Sequence, residues 1–392
     1  MLKKYVCYSI VTALLFSSVI LAQIKFVKKA YSNSPTASTV TIMWETPEGE
    51  SSSGSVKYGT DTSMNMISAG TTGRDIPGEG CIHEVTLSGL KPFTKYYYTV
   101  GNGNEYSSEI NVTKTAPVRG TDFTIMSLSD IHENNERIWQ NICSSDLSGT
   151  DVVILIGDLV DDGSKRLEWN KGFFTPGENL LKQYPIISVV GNHETAFGPT
   201  TFYDYFALPV HEPNGETPEA YFATNYGDVK IIAINSNGDD YSPTITKESL
   251  QYTWLDKQLN NSDTKWIFIF SHTNVLSTSY HGQWSAYEKE NLLPLYEKYA
   301  AEGKHILVFG GDEHNFEHLY KNGVNYFRPG CANLINRDTD LNLADKPFSI
   351  FFSKTPGYST INVKDNGNTV IINAKKPDGE IFYTKKFTLN EK

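Results

Sequence analysis

The chain has 392 residues, 39% of them apolar and 12% aromatic, enough for two or three domains with sizeable cores. Its formal net charge of -11 repels polyanions over most of the surface, which excludes a function built on a broad nucleic-acid-binding face. An anionic substrate would need a local positive centre, and bound metal ions would supply one.

In chain order, Lys3 and Lys4 precede a largely apolar run over 6–21, and Ala22 offers a small residue for cleavage. Residues 1–22 therefore read as an export signal, with a retained anchor as the alternative. Cleavage would leave no stable membrane span and a secreted or periplasmic protein. Residues 24–115 read as all-β. Short strand-like runs at 39–44, 54–58, 83–87 and 95–100 are separated by Gly, Ser, Pro and Asp clusters. The segment LSGLKPFTKYYYTVG (87–101) resembles the strand–corner–strand passage of fibronectin type III domains. Leu90, Pro92, Thr94 and Tyr96 take its motif positions, with Tyr96 as the corner tyrosine. No ligand cluster occurs there, so the expected role is a scaffold or an adhesion module contacting a surface or a glycan.

Residues 113–120, TKTAPVRG, read as a linker. From 121 to 392 the pattern changes to apolar, β-rich runs at 123–128, 152–156, 186–190, 229–234, 266–270 and 305–309. Stretches of helical spacing at 248–259 and 287–300 lie between them. Alternating strands and helices predict an α/β layered domain with buried strands, here a β-sandwich flanked by helices. The tail runs 358–364, 369–373 and 381–389 form a β-hairpin finish through the turns DNGN and KPDG, packed on the same domain. Cys7 would leave with the signal. Cys81, Cys143 and Cys331 give no disulfide framework and read as buried small residues.

Five segments carry the chemistry: SDIHE (129–133), IGDLVDDG (156–163), VGNHE (190–194), FSHT (270–273) and GGDEHNF (310–316). Each sits at the end of an apolar run, where an α/β sheet displays its ligand site. A two-metal hydrolase needs a bridging carboxylate, several ligands per ion and a labile water, with the ions about 3.5–4 Å apart. Aspartate, asparagine and histidine suit Mn, Fe and Zn. Asp130 and His132 are expected to alternate on an extended segment and so share a face. Asp158 follows Gly157, where a small residue permits close backbone approach.

These segments resemble the motifs of the calcineurin-like metallophosphoesterases: D-x-H, G-D-x-x-D, G-N-H-E/D, a lone H, and G-H-x-H. With the sandwich in front, and with AYFATNYGDVKIIAINSN (220–237) and QYTWLDKQL (251–259), the chain is similar to the purple acid phosphatase branch. The resemblance implies two divalent or mixed-valence ions (Fe, Mn or Zn). Asp130, His132, Asp158 and His314 would hold the first, Asp158 would bridge, and Asn192 and His272 would hold the second. His193 would not ligate but would stabilise developing charge or protonate the leaving oxygen. A metal-bound hydroxide would be the nucleophile acting on a small phosphate ester.

Two departures stand out. The G-H-x-H motif reads Gly311-Asp312-Glu313-His314, so Asp312 stands where the second metal expects histidine. The added carboxylate brings the site to about zero net charge with two divalent ions and a hydroxide, against about plus one for the usual set. Purple acid phosphatases also place a tyrosine where this chain has Asp161, so the charge-transfer colour should be absent and His132 should take that ligand place. Asp161 and Asp162 read equally as groups behind the ligands or as turn caps. His281 and Tyr280, near Trp284, are candidate substrate-contact residues on a rim loop. His318 is expected outside the metal shell, and His83, His211 and His305 are structural or exposed. The leading expectation is an exported phosphomonoesterase. The alternatives are a phosphodiesterase on a nucleotide or glycerophosphodiester, which the neutral-leaning site favours, and a degenerate, non-catalytic surface-binding protein.

Overall fold

The structure is a computed structural model describing residues 24–50, 53–132, 136–209, 219–239, 244–279, 286–333 and 344–389. The proposed signal at 1–22 and the candidates Tyr280, His281, Trp284 and His211 lie outside the described residues. Among the described residues, no helix is long and apolar enough to cross a membrane.

Among the described residues, the N-terminal part has eight strands: β1 Lys28–Asn33, β2 Val40–Thr46, β3 Ser53–Gly59, β4 Met66–Thr72, β5 Arg74–Ile76, β6 Gly80–Leu87, β7 Lys95–Gly101 and β8 Asn111–Lys114. The four runs expected from sequence correspond to β2, β3, β6 and β7. Strands β4-β3-β7-β8 form one sheet, and it packs on β1, β2 and β6 through Val40, Ile42, Trp44, Val56, Leu87 and Tyr98. The Tyr96 hydroxyl accepts from the Lys91 amide at 2.9 Å, closing the corner five residues upstream. The expected linker starts inside β8 and becomes irregular only after Lys114.

The second part begins with β9 Phe123–Leu128, β10 Val152–Ile156 and β11 Ile186–Val189, then β12 Phe222–Tyr226, β13 Val229–Ile234, β14 Trp266–Ser271 and β15 Ile306–Phe309. It ends with β16 Phe316–Lys321, β17 Val324–Pro329, β18 Ser349–Ser353, β19 Tyr358–Lys364, β20 Thr369–Lys375 and β21 Ile381–Thr388. Two sheets face each other. One runs β12-β13-β14-β15-β17-β16-β18 with β13, β14, β15 and β17 parallel. The other carries parallel β9, β10 and β11 with the tail strands β19, β20 and β21 added antiparallel beside β9. Every residue of β9, β10 and β14 is buried, because helices or the opposing sheet cover both faces. Phe268, Phe270, Phe309 and Phe327 meet Ile125, Val153 and Ile361 in the main core. The outer face of the β14 sheet is covered by the helices Leu250–Asn260 and Ala286–Ala301 through Leu255, Leu259, Leu292 and Tyr296.

The two parts share a sheet. β1 pairs parallel with β11 at Asn33↔Ile186, so β1, β2, β6 and β5 extend the β9–β11 sheet to ten strands. The C-terminal ends of β9, β10, β11, β14 and β15 then release the five motif segments within reach of one another.

Candidate metal centre

The loops after these strands are tied by backbone hydrogen bonds before any side chain is considered. Asp130 N–H donates to the Gly157 carbonyl at 3.1 Å, Ile131 N–H to Asp158 at 2.8 Å, and Gly311 N–H to His272 at 2.8 Å. Gly157 is needed for the second of these loops. Its φ is +73°, and a Cβ there would lie 2.6 Å from the Gly191 Cα and 2.7 Å from the His272 imidazole.

The extended geometry expected for Asp130 and His132 is not found. Both adopt left-handed backbone, at φ 53° and 54°, as do Asp158 (53°), Asp312 (68°) and His314 (51°). Left-handed backbone costs an L residue about 1–2 kcal/mol, although Asp, Asn and His tolerate it best. Five such residues in one pocket concentrate strain where three loops must turn their side chains inward. Asp130 and His132 do converge, but through these turns and not through strand alternation.

Three overlapping groups place their donor atoms within 4.8 Å: Asp130, His132 and His314; His132, Asp158 and His193; Asp130, Asp158 and His272. Asp130, His132 and Asp158 each belong to two of them. His272 Nε2 lies 3.1 Å from Asp158 Oδ2 and 4.0 Å from Asp130 Oδ1. His314 Nε2 lies 3.6 Å from Asp130 Oδ1 and 3.3 Å from His132 Nε2. Asn192 opens the short helix Asn192–Thr195 immediately after Gly191. The Asp312 backbone amide donates to Asp130 Oδ1 at 3.1 Å, which seats residue 312 beside the cluster.

The donor set fits a pair of cations. His272 is wholly buried, its Nδ1 bonds the Ile156 carbonyl at 2.7 Å, and its Nε2 lies 3.1 Å from Asp158 Oδ2 without the direction of a good hydrogen bond. That fixed ring nitrogen, aimed at two buried carboxylates, is the state of an imidazole held ready to ligate. The electrostatics agree. Burial would lower the His272 pKa, but the charges of Asp158, Asp130 and Asp312 raise it well above the ordinary value. Burial would raise Asp158, but His272 and His132 hold it well below the usual carboxylate range. For His132, burial is outweighed by the Asp161 hydrogen bond and by Asp158 and Asp130, so its pKa is raised. A site that favours charge on both partners is one where metal ions can displace the protons.

Asp161 sits behind the cluster, its Oδ1 2.8 Å from His132 Nδ1, where it fixes the ring so that Nε2 faces the pocket. Asp162 is a turn cap, accepting from the Ser164 amide at 3.0 Å and pairing with Lys165 at 2.8 Å. His193 lies at the mouth. Its amide donates to Asp158 Oδ1 at 2.9 Å, its Nδ1 bonds the Asp161 carbonyl at 2.7 Å, and its Nε2 is 3.9 Å from Asp158 Oδ2. His318 is remote from the cluster. It is buried on β16 between the Tyr383 hydroxyl at 2.6 Å and Asn325 Oδ1 at 2.9 Å. His83 is buried and stacked on Trp44, His305 is exposed beside Trp266, and Cys81, Cys143 and Cys331 are free and buried.

Three supports escaped sequence reasoning. The wholly buried Glu194 accepts from Asp158 N–H and Leu159 N–H, both at 2.8 Å, and from Gly191 N–H at 2.7 Å. One carboxylate thus staples the second motif to the third, and burial with the nearby Asp158 charge pushes its pKa up to about 7. Its signal was present as the last letter of VGNHE. Asn274 donates its amide to the Gly311 carbonyl. Behind residues 310–316, Arg328 bonds Asn315 Oδ1 at 2.6 Å and pairs with Glu317, which also accepts from Thr278 Oγ1 at 2.6 Å. Arg328 sits far along the chain in β17 and carries no motif signal.

Comparison with known proteins matches this arrangement. Residues 27–115 match the family model of the purple acid phosphatase N-terminal domain, and residues 123–316 match that of the calcineurin-like phosphoesterases. Purple acid phosphatase 1 of Ipomoea batatas is 26% identical over 299 residues, covering 71% of this chain and 61% of its own. The purple acid phosphatase of Glycine max is 27% identical over 256 residues, covering 61% of this chain and 53% of its own. The chain therefore spans between about half and three fifths of the length of these relatives. Among solved structures, purple acid phosphatase PPD1 from yellow lupin seeds superposes with a TM-score of 0.71 at 17% identity, over 92% of this chain and 74% of its own. The structure of PhoD superposes at 0.72 and 14% identity, over 94% and 91%. Those identities carry the fold alone. With both family models matched in order along the chain, this protein belongs to the calcineurin-like metallophosphoesterases, in the purple acid phosphatase-like branch that carries the purple acid phosphatase N-terminal domain.

Proposed function

We propose that this chain is an exported hydrolase of phosphate monoesters that works with two metal ions. The observation that carries the reading is the set of three triads linked through Asp130, His132 and Asp158, in which both carboxylates have an imidazole nitrogen within 4.8 Å. Asp130, His132, Asp158 and His314 would hold one ion, and Asp158, Asn192, His272 and Asp312 the other. Fe, Mn and Zn suit these donors, and one curated relative, purple acid phosphatase 12 of Arabidopsis thaliana, is named as an Fe(3+)-Zn(2+) protein. When bound, the ions supply positive charge for the phosphate and acidify a coordinated water.

The chain's own groups do the rest. His193 is 29% exposed, turns its Nε2 toward Asp158 Oδ2 at 3.9 Å and is anchored through Nδ1. It is the group placed to hand a proton to the departing oxygen or to bind its developing charge. Asp161 holds the His132 ring, and Glu194 holds the Asp158 and Gly191 backbones. We assign 24–115 to the N-terminal sandwich, 121–392 to the catalytic domain and 1–22 to a cleaved signal. Tyr280 and His281 remain rim candidates for substrate contact. A phosphodiester is the second reading, favoured by Asp312: a site carrying one more carboxylate penalises a dianion more than a monoanion. Rates on a chromogenic phosphomonoester and its bis-ester, measured with the Mn-loaded protein, separate the two. Turnover of neither, with two ions bound, would leave a binding protein.

A further inference from the structure

The other side of His193 is occupied by a residue that no motif contains. Phe197 follows the helix Asn192–Thr195, and its ring centroid lies 5.5 Å from that of His193 at an interplanar angle of 60°. His193 also meets His132, with ring centroids 4.7 Å apart, so the imidazole touches both a proposed metal ligand and a phenyl ring. Despite this contact, Phe197 is 56% exposed. Gly198 and Pro199 follow at once. Gly198 adopts φ +142°, backbone that an L residue rarely takes, so the path of the chain after Phe197 depends on glycine.

An exposed phenyl ring is costly to hydrate, and here it borders the pocket mouth. If His193 serves the departing oxygen, the organic group on that oxygen emerges beside the His193 ring. Phe197 is then the apolar surface next to it. As a water oxygen bonds to phosphorus and loses a proton, the ester P–O bond breaks, His193 gives the leaving oxygen a proton, and the alcohol or phenol departs along the same wall. A flat ring can stack on the uncovered face of Phe197 or meet its edge, whereas a small alkyl group covers little of it.

We propose that Phe197 is a specificity-determining residue that forms the aromatic wall of the leaving-group subsite and selects esters with an aryl or heteroaryl leaving group. This rests on the assignment of His193 to the leaving-group side. The test compares Phe197→Ala and Phe197→Trp with the natural protein on 2-naphthyl phosphate and ethyl phosphate. Dividing variant by natural kcat/KM for each ester cancels the intrinsic reactivity of the leaving groups. Phe197→Ala should lower the aryl-over-alkyl preference about two- to tenfold, the range of one aromatic pair, chiefly through KM, and Phe197→Trp should restore it. An unchanged preference in Phe197→Ala overturns the proposal. Calorimetric binding of phenylphosphonate and methylphosphonate to the Mn-loaded protein reads the wall without turnover. Preference for the phenyl compound that vanishes in Phe197→Ala supports the wall even if neither ester is hydrolysed, in which case the hydrolase reading alone fails. Equal affinity of the natural protein for the two phosphonates overturns the wall.

Discussion

Glu194 shows how much of the site depends on side chains that never face the pocket. It accepts three backbone N–H groups from two loops inside a fully buried setting. Glu194→Gln keeps the shape but sets an NH2 against one of those donors, at a cost of about 1–3 kcal/mol for the unmet group. The loops carrying Asp158 and Asn192 should then part, and metal affinity should fall about tenfold or more, as expected for groups that orient ligands. Equilibrium dialysis against Zn with metal analysis checks this, and unchanged affinity contradicts it. Asp312→His removes a negative charge beside Asp130 and His272, so turnover of a monoester dianion should rise and the preference for diesters should fall. A variant matching the natural protein in both metal content and rate would remove Asp312 from the metal shell. His193→Ala should retain both ions and lose about 10²–10⁴-fold in turnover. The candidate residues were legible because the motif letters are themselves the chemistry. Glu194 was printed among them but its partners are backbone amides of other loops, which no spacing reveals. Arg328 and Phe197 belong to no motif at all.

Among the elements, those that read most clearly are the ones whose burial is symmetrical. β9, β10 and β13 fall on their expected bounds because a run of apolar, β-branched residues is covered on both faces. β1, KKAYSN, has no such run and exists through pairing with β2 and β11. β4 and β5 are largely exposed and leave no hydrophobic pattern to read. The motif loops departed from the extended reading because tying Asp130 N–H to Gly157 and Ile131 N–H to Asp158 requires left-handed turns. His318 is the strut between the sheets, joining β16 to Tyr383 of β21 while stacked on Phe327 at 4.2 Å. Burial lowers its pKa to about 4, and does the same for His83. Both native rings thus resist protonation while the unfolded chain accepts it near pH 6.5. The contribution of these two groups to stability is full above that value and falls by up to about 1.4 kcal/mol per pH unit each as pH drops from 6.5 toward 4. His318→Gln should flatten that slope in denaturant midpoints measured across the window. An identical slope would show that His318 is not the titrating group.

Across the whole molecule, the N-terminal part is joined to the catalytic part by more than a linker. The shared ten-stranded sheet is reinforced by the buried Lys28–Glu45 pair, with Lys28 also 4.1 Å from the centre of the Tyr205 ring. Arg166, on the segment after the second motif, bonds Tyr205 at 2.7 Å, Glu79 at 3.0 Å and Asp204. Tyr31 in β1 donates to the Tyr205 carbonyl at 2.9 Å. The two parts should therefore unfold in one cooperative transition. Arg166→Met should lower the stability read from that transition by about 2–3 kcal/mol, less than a fully buried pair would lose because Glu79 and Asp204 keep some solvent. Two separate transitions in the natural protein would contradict the shared sheet. Sequence conveyed the two parts and their order, but one continuous sheet depends on the Asn33↔Ile186 pairing across 153 residues, which local pattern cannot encode. We propose that the converged loops make a binuclear phosphoesterase. Titrating the metal-free protein with Mn²⁺ while following hydrolysis of an aryl phosphate tests it most directly. Activity that rises to a plateau at two ions per chain is the expected result. Two ions bound with no hydrolysis, or full activity with none, would contradict it.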